Sequence, residues 1–174
     1  ITFGVKHNGS IDPKNLERIK RFSEQCDQVA LCVGAKGQKY RHFQRLSYLQ
    51  ELARSKGITL GIILSKDVVL EGGNYIRIDE PNIDEKAVAP YVDFVYRIND
   101  DVSMPYTLYA ACTGKIPVVT AREFFTYEIV KRYGIGLSEE DWFQTDEVQI
   151  ADIKKHMCDF IGRASWRSLS DRLA

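Results

Sequence analysis

The strongest constraint in this sequence is an alternation that runs through most of the chain. Short apolar runs are separated by stretches whose apolar residues recur every three or four positions. Residues 58–64 form a nearly continuous apolar run. A strand of that kind is apolar on both sides, so each side needs a covering layer, and helices inserted between successive strands supply it. The pattern predicts βαβ units and a parallel sheet. Strands are expected at residues 1–6, 28–33, 58–64, 75–78, 94–98, 117–120 and 135–137. Ser10, Asp12 and Pro13 give a helix start, with Leu16, Ile19, Phe22 and Cys26 at helical spacing behind it. Further helices are expected at residues 40–56, closed by Gly57, and at 84–91. Two more are expected at 105–113, closed by Gly114, and from about 123 to 133. Residues 148–173 read as a last helix with a break near Gly162. The expected fold class is α/β: one Rossmann-like domain over residues 1–174, with a parallel sheet, helices on both faces and a C-terminal helix returning across it.

Composition narrows the partners. The 174 residues suit one domain with a real core. Lys plus Arg equals Asp plus Glu at 24 each, so nothing broad draws the chain to nucleic acid or to a membrane surface. No apolar run approaches the ~18 residues that span a bilayer. Cys26, Cys32, Cys112 and Cys158 fit no zinc spacing and lie in apolar or helical stretches. They read as reduced core thiols, which suits a cytoplasmic location. His7, His42 and His156 are scattered and suggest no metal site. The acidic run Glu139-Glu140-Asp141 reads as a solvated loop. Trp142 and Trp166 read as packing residues. The chain opens on Ile1 inside a strand-like run, which reads as a piece of a longer protein.

In an open parallel sheet, ligands bind beyond the carboxyl ends of the strands. The loops there carry the candidate chemistry. After the first expected strand come Lys6, Asn8, Gly9 and Ser10, where a glycine and a helix start suit an anion. After the second come Gly34 and Lys36, in a basic, glycine-containing loop that is not a P-loop. Ser65-Lys66-Asp67 repeats the theme more weakly. After the strand at 94–98 comes Asp100-Asp101-Val102-Ser103-Met104-Pro105-Tyr106-Thr107, leading into a helix of small residues. That helix would aim its first amides at a ligand over the sheet. Arg122 follows the strand at 117–120 and is a further phosphate candidate. There is no G-x-G-x-x-G and no G-x-S-x-G.

The run Tyr109-Ala110-Ala111-Cys112-Thr113-Gly114-Lys115-Ile116-Pro117-Val118-Val119 resembles the segment E-A-x-A-x-G-x-P-V-V of retaining GT-B glycosyltransferases. Two further stretches are similar and fall in the family's order. Tyr91-Val92-Asp93-Phe94-Val95 matches its A-D-V-F-V segment after a short helix, and Ser165-Trp166 matches its closing Y-S-W helix. The resemblance implies the C-terminal, donor-binding half of such an enzyme. A nucleotide-sugar would then be the substrate, with no cofactor and no metal. The acceptor would be held mainly by an N-terminal domain absent from this chain, and any peripheral membrane contact would be made only through that part.

In the family two glutamates hold the donor sugar and ribose hydroxyls. Here those positions are Asp101 and Tyr109, the first shorter by a methylene and the second neutral. Lys6, Lys36 and Lys66 are the candidates for the diphosphate by position. The expected donor-binding set is Lys6, Asn8, Gly9, Ser10, Gly34, Lys36, Asp101, Ser103, Met104, Pro105, Tyr106, Thr107, Tyr109 and Arg122. The alternatives are a catalytically silent nucleotide- or sugar-binding module and half of a nucleotide-sugar epimerase. A flavodoxin-like response module would need acids where this chain has Lys6-His7-Asn8-Gly9.

Overall fold

The computed structural model of the protein describes residues 10–32, 44–65, 70, 72–80, 83–97 and 106–164, the side chains of Tyr106 and Ala164 excepted. The expected first strand, Trp166 and His7 and His42 lie outside these residues. The chain order is α1 (Pro13–Ser23), β1 (Gln28–Cys32), α2 (Gln44–Ser55), β2 (Leu60–Ser65), β3 (Tyr75–Ile78) and α3 (Glu85–Val88). A 3-10 turn (Ala89–Tyr91) leads to β4 (Phe94–Arg97), α4 (Tyr106–Gly114), β5 (Val118–Thr120), α5 (Phe125–Tyr133), β6 (Gly136–Ser138), α6 (Glu139–Trp142) and α7 (Glu147–Ala164). The strands form one six-stranded sheet in the order β3-β2-β1-β4-β5-β6. Every pairing in it is parallel.

The two faces of the sheet follow from the period of two along each strand. Val29, Leu31, Ile63, Ile78, Val95 and Val118 point to one face and pack with α1, α3, α4, α5 and α7. Ala30, Cys32, Ile62, Leu64, Phe94, Tyr96 and Val119 point to the other, under α2 and α6. Both sides of the central strands are covered, which is why their sequence runs are apolar without alternation.

Several helix ends have a local cause. Asp12 caps α1 by accepting from Lys14 N at 2.8 Å, and Pro13 takes the first helical position. Gly57, at φ 74°, supplies the left-handed residue after α2. Gly114 has another task. It is the last residue of α4, and Lys115 takes the left-handed turn at φ 55°. A Cβ on Gly114 would lie 3.0–3.1 Å from Glu85 of α3, so glycine is what lets the two helices touch.

Two expectations are corrected. The run Glu139-Glu140-Asp141 is no solvated loop: it is α6, capped by Ser138, and Glu139 is fully buried. Helix α7 runs through Gly162 to Ala164, and residues 165–174, where the break expected near Gly162 could also fall, lie outside the described residues. Cys158 is exposed and Cys26 half-buried, whereas Cys32 and Cys112 are core thiols. On α7 the inward stripe is Ile153, Met157 and Phe160, and Cys158 lies one step, about 100°, from Met157. Helix α7 also crosses between the layers. Ile150 near its start packs in the α2-side core, and Ile153 to Phe160 pack on the α4 side.

Candidate functional site

Sheet order reverses between β1 and β4. From β1 the chain passes to α2 on one face, and from β4 it passes to α4 on the other. A crevice at the carboxyl ends of these two strands is the general ligand position in such folds. Residues 33–43 follow β1 in sequence, residues 98–105 follow β4, and both lie outside the described residues. The strand and helix ends on either side are described.

Arg97 ends β4 on the α4 face and is 5% exposed. Its Nη1 donates to Thr107 Oγ1 at 3.1 Å, in the first turn of α4. Its carbonyl accepts from the Thr120 hydroxyl of β5 at 2.9 Å. A buried guanidinium therefore sits beside the positive end of a helix, and both attract an anion. The sequence expectation passed over Arg97. The signal was present: one cation closing the apolar strand Phe94-Val95-Tyr96-Arg97.

On the opposite face, Tyr96 donates its hydroxyl to Glu139 Oε1. The other oxygen of Glu139 lies 3.2 Å from Arg45 Nη2, which also pairs with Glu123. Arg45 stacks over the Tyr48 ring at 5.1 Å and lies 5.9 Å from that of Phe124. Burial pushes the Glu139 carboxyl above its ordinary value, while the Tyr96 hydroxyl and Arg45 pull it partly back. Burial and the neighbouring Glu139 raise Tyr96 well above the usual phenol range, so it stays a donor. Burial likewise holds Cys32, at the end of β1, up at about 12, with Arg97 acting against it. That thiol is inert at neutral pH.

Of the expected site residues, Lys6, Asn8, Gly9, Gly34, Lys36, Asp101, Ser103, Met104 and Pro105 lie outside the described residues. Ser10 is exposed ahead of α1. The amides there already have partners: Asp12 takes Lys14 N, and Glu80 takes Asp12 N at 2.8 Å. Tyr106 opens α4, and Thr107 holds Arg97 at the crevice. Tyr109 is half-buried with its ring 5.4 Å from that of Phe160 in α7, and burial raises its hydroxyl above the ordinary value. Arg122 follows β5 and is engaged by α6. It donates to Ser138 Oγ at 3.1 Å and to Asp141 Oδ1 at 2.7 Å. The structure thus brings Thr107 to the crevice and sets Tyr109 on the helix side facing α7. Trp142 packs on Phe94 with ring centroids 4.9 Å apart. Among the described residues no group of three or more His, Cys, Asp or Glu side chains could hold a metal ion. No helix among them is long and apolar enough to cross a membrane.

No family model and no curated protein matches the sequence. Solved structures do match the fold. The glycotransferase of kitacinnamycin aligns with 99% of this chain and 47% of its own, at 12% identity and a TM-score of 0.50. WaaG, a glycosyltransferase involved in lipopolysaccharide biosynthesis, aligns over 88% of this chain and 47% of its own, at 11% identity and a TM-score of 0.49. UDP-GlcNAc 2-epimerase of Methanocaldococcus jannaschii, solved with UDP-GlcNAc and UDP, aligns over 79% and 43%, at 12% identity and a TM-score of 0.44. The chain spans less than half the length of each. At such identities the likeness is one of fold: a Rossmann-like half of the GT-B architecture.

Proposed function

We propose that this chain is the donor-binding half of a GT-B glycosyltransferase. A nucleotide-activated sugar lies across the carboxyl rim of the sheet, and the acceptor is held by a second domain. The observation that carries this reading is the buried Arg97 against the first turn of α4 at the β1/β4 reversal. Together they offer fixed positive charge where a leaving diphosphate develops negative charge. The loops bearing Lys6, Asn8, Gly9, Ser10, Gly34 and Lys36, and the turn bearing Asp101, Ser103, Met104 and Pro105, complete the donor set in this reading. The substrate is the nucleotide-sugar, and no cofactor is invoked. The cytoplasm, where nucleotide-sugars are made, is the location we assign. The isolated half transfers nothing, because its acceptor site is elsewhere.

A second reading is favoured by Tyr109. It stands where the family's second acid is expected, and its ring is packed on Phe160. A module that binds the nucleotide without catalysis fits that substitution. Isothermal titration of the chain with UDP, dTDP, GDP, ADP and their sugars tests both readings. Donor binding predicts micromolar to millimolar affinity for at least one diphosphate, weakened about tenfold or more in Arg97→Met. Absence of binding across the panel would refute both. Binding that Arg97→Met leaves intact would displace the site from the β4 crevice.

A further inference from the structure

The polar cluster on the α2 face is not needed to close the sheet, yet it joins four separate elements. Tyr96 comes from β4, Arg45 from the first turn of α2, Glu139 from the start of α6 and Glu123 from the β5–α5 connection. Glu139 is fully buried, and its Oε2 accepts no hydrogen bond although Arg45 lies 3.2 Å away. Arg45 sits two residues beyond the β1–α2 connection that carries Gly34 and Lys36. Tyr96 sits one residue before Arg97. The cluster therefore links the start of α2, on one side of the β1/β4 reversal, to the end of β4 on the other.

We propose that Glu139 is a positioning residue, the anchor of a brace that fixes the first turn of α2 against β4 at the ligand rim. The brace touches no ligand itself. A charged carboxylate between a phenol donor and a guanidinium orients both, and charge-assisted bonds are the stronger and more directional ones. Without the charge, Arg45 keeps its stacking on Tyr48 and Phe124 and the ion pair with Glu123, whose side chain is 60% exposed and so holds it weakly. The groups that face Glu139 are Tyr96 from β4, Arg45 and Tyr48 from α2, Glu140 from its own helix and Glu123 from the β5–α5 connection. Most of the neighbouring charge is negative. The use of the brace in donor binding rests on the function proposed above.

The test is hydrogen exchange of the whole chain, wild type against Glu139→Gln, with UDP titration of each protein. Glutamine keeps the size and an acceptor for Tyr96 and removes only the charge. The brace predicts amides of residues 44–48 exchanging about tenfold faster in the variant, with β2 amides unchanged. It predicts a variant UDP affinity about tenfold weaker than that of the wild type. Arg45→Lys recovers part of both effects and Arg45→Met none. Equal exchange at 44–48 would overturn the brace. So would equal, measurable UDP affinity in the two proteins. Faster exchange together with no nucleotide binding by the wild type would keep the brace and sink the donor reading instead.

Discussion

Glu139 shows how one residue changes meaning between sequence and structure. In the sequence it opens an acidic triplet that looks like a surface loop. In the fold its carboxylate is enclosed by Tyr96 and Arg45. What the sequence could not show is that β4 and α2 would arrive above it, since Tyr96 and Arg45 are 43 and 94 residues away. Its raised pKa has a consequence for stability. Native Glu139 binds its proton more tightly than the unfolded chain does, so its contribution is fully present below the ordinary glutamate value. That contribution is lost as pH rises through the native value. The wild type should therefore lose stability relative to Glu139→Gln between about pH 4 and neutrality. Urea denaturation of both proteins across that range measures it. A difference constant with pH would show that Glu139 titrates as it does in the unfolded chain.

Elements were legible where periodicity was strong. Strand β2 and helix α1 appear where the pattern placed them, because burial on both sides or on one leaves a readable period. That α7 passes through Gly162 was not legible. Glycine weakens a helix interior, but α7 is held by Ile153, Met157 and Phe160 along its inward stripe, and packing overrides propensity. Two glycines of similar appearance thus behave oppositely. Gly162→Ala meets no atom within 4 Å and should stabilise the chain by about 0.5–1 kcal/mol through helix propensity. Gly114→Ala drives a Cβ against the backbone of Glu85 and should cost about 1–3 kcal/mol. Chemical denaturation of the pair checks the signs. A stabilising Gly114→Ala would mean that α3 and α4 separate without cost.

For the whole molecule, the strand order decides where a ligand can sit. A nucleotide that binds the native rim and not the unfolded chain must stabilise the fold by mass action. At a hundredfold excess over the dissociation constant the gain is ~2.7 kcal/mol, read as a rise in melting temperature. A diphosphate that binds by titration without raising that temperature would be binding something other than the native crevice. The sequence by itself determined the layered α/β class and the parallel sheet, because doubly buried strands and one-sided helices leave periods that need no knowledge of neighbours. It also placed Thr107 at the start of a helix after β4, because a helix start after a strand is a local signal. Only the tertiary structure decided the reversal between β1 and β4, the burial of Arg97 and Glu139, and the turning of Tyr109 toward Phe160. Each of these depends on which distant elements meet, and burial of a charge or a ring is set by its partners in space.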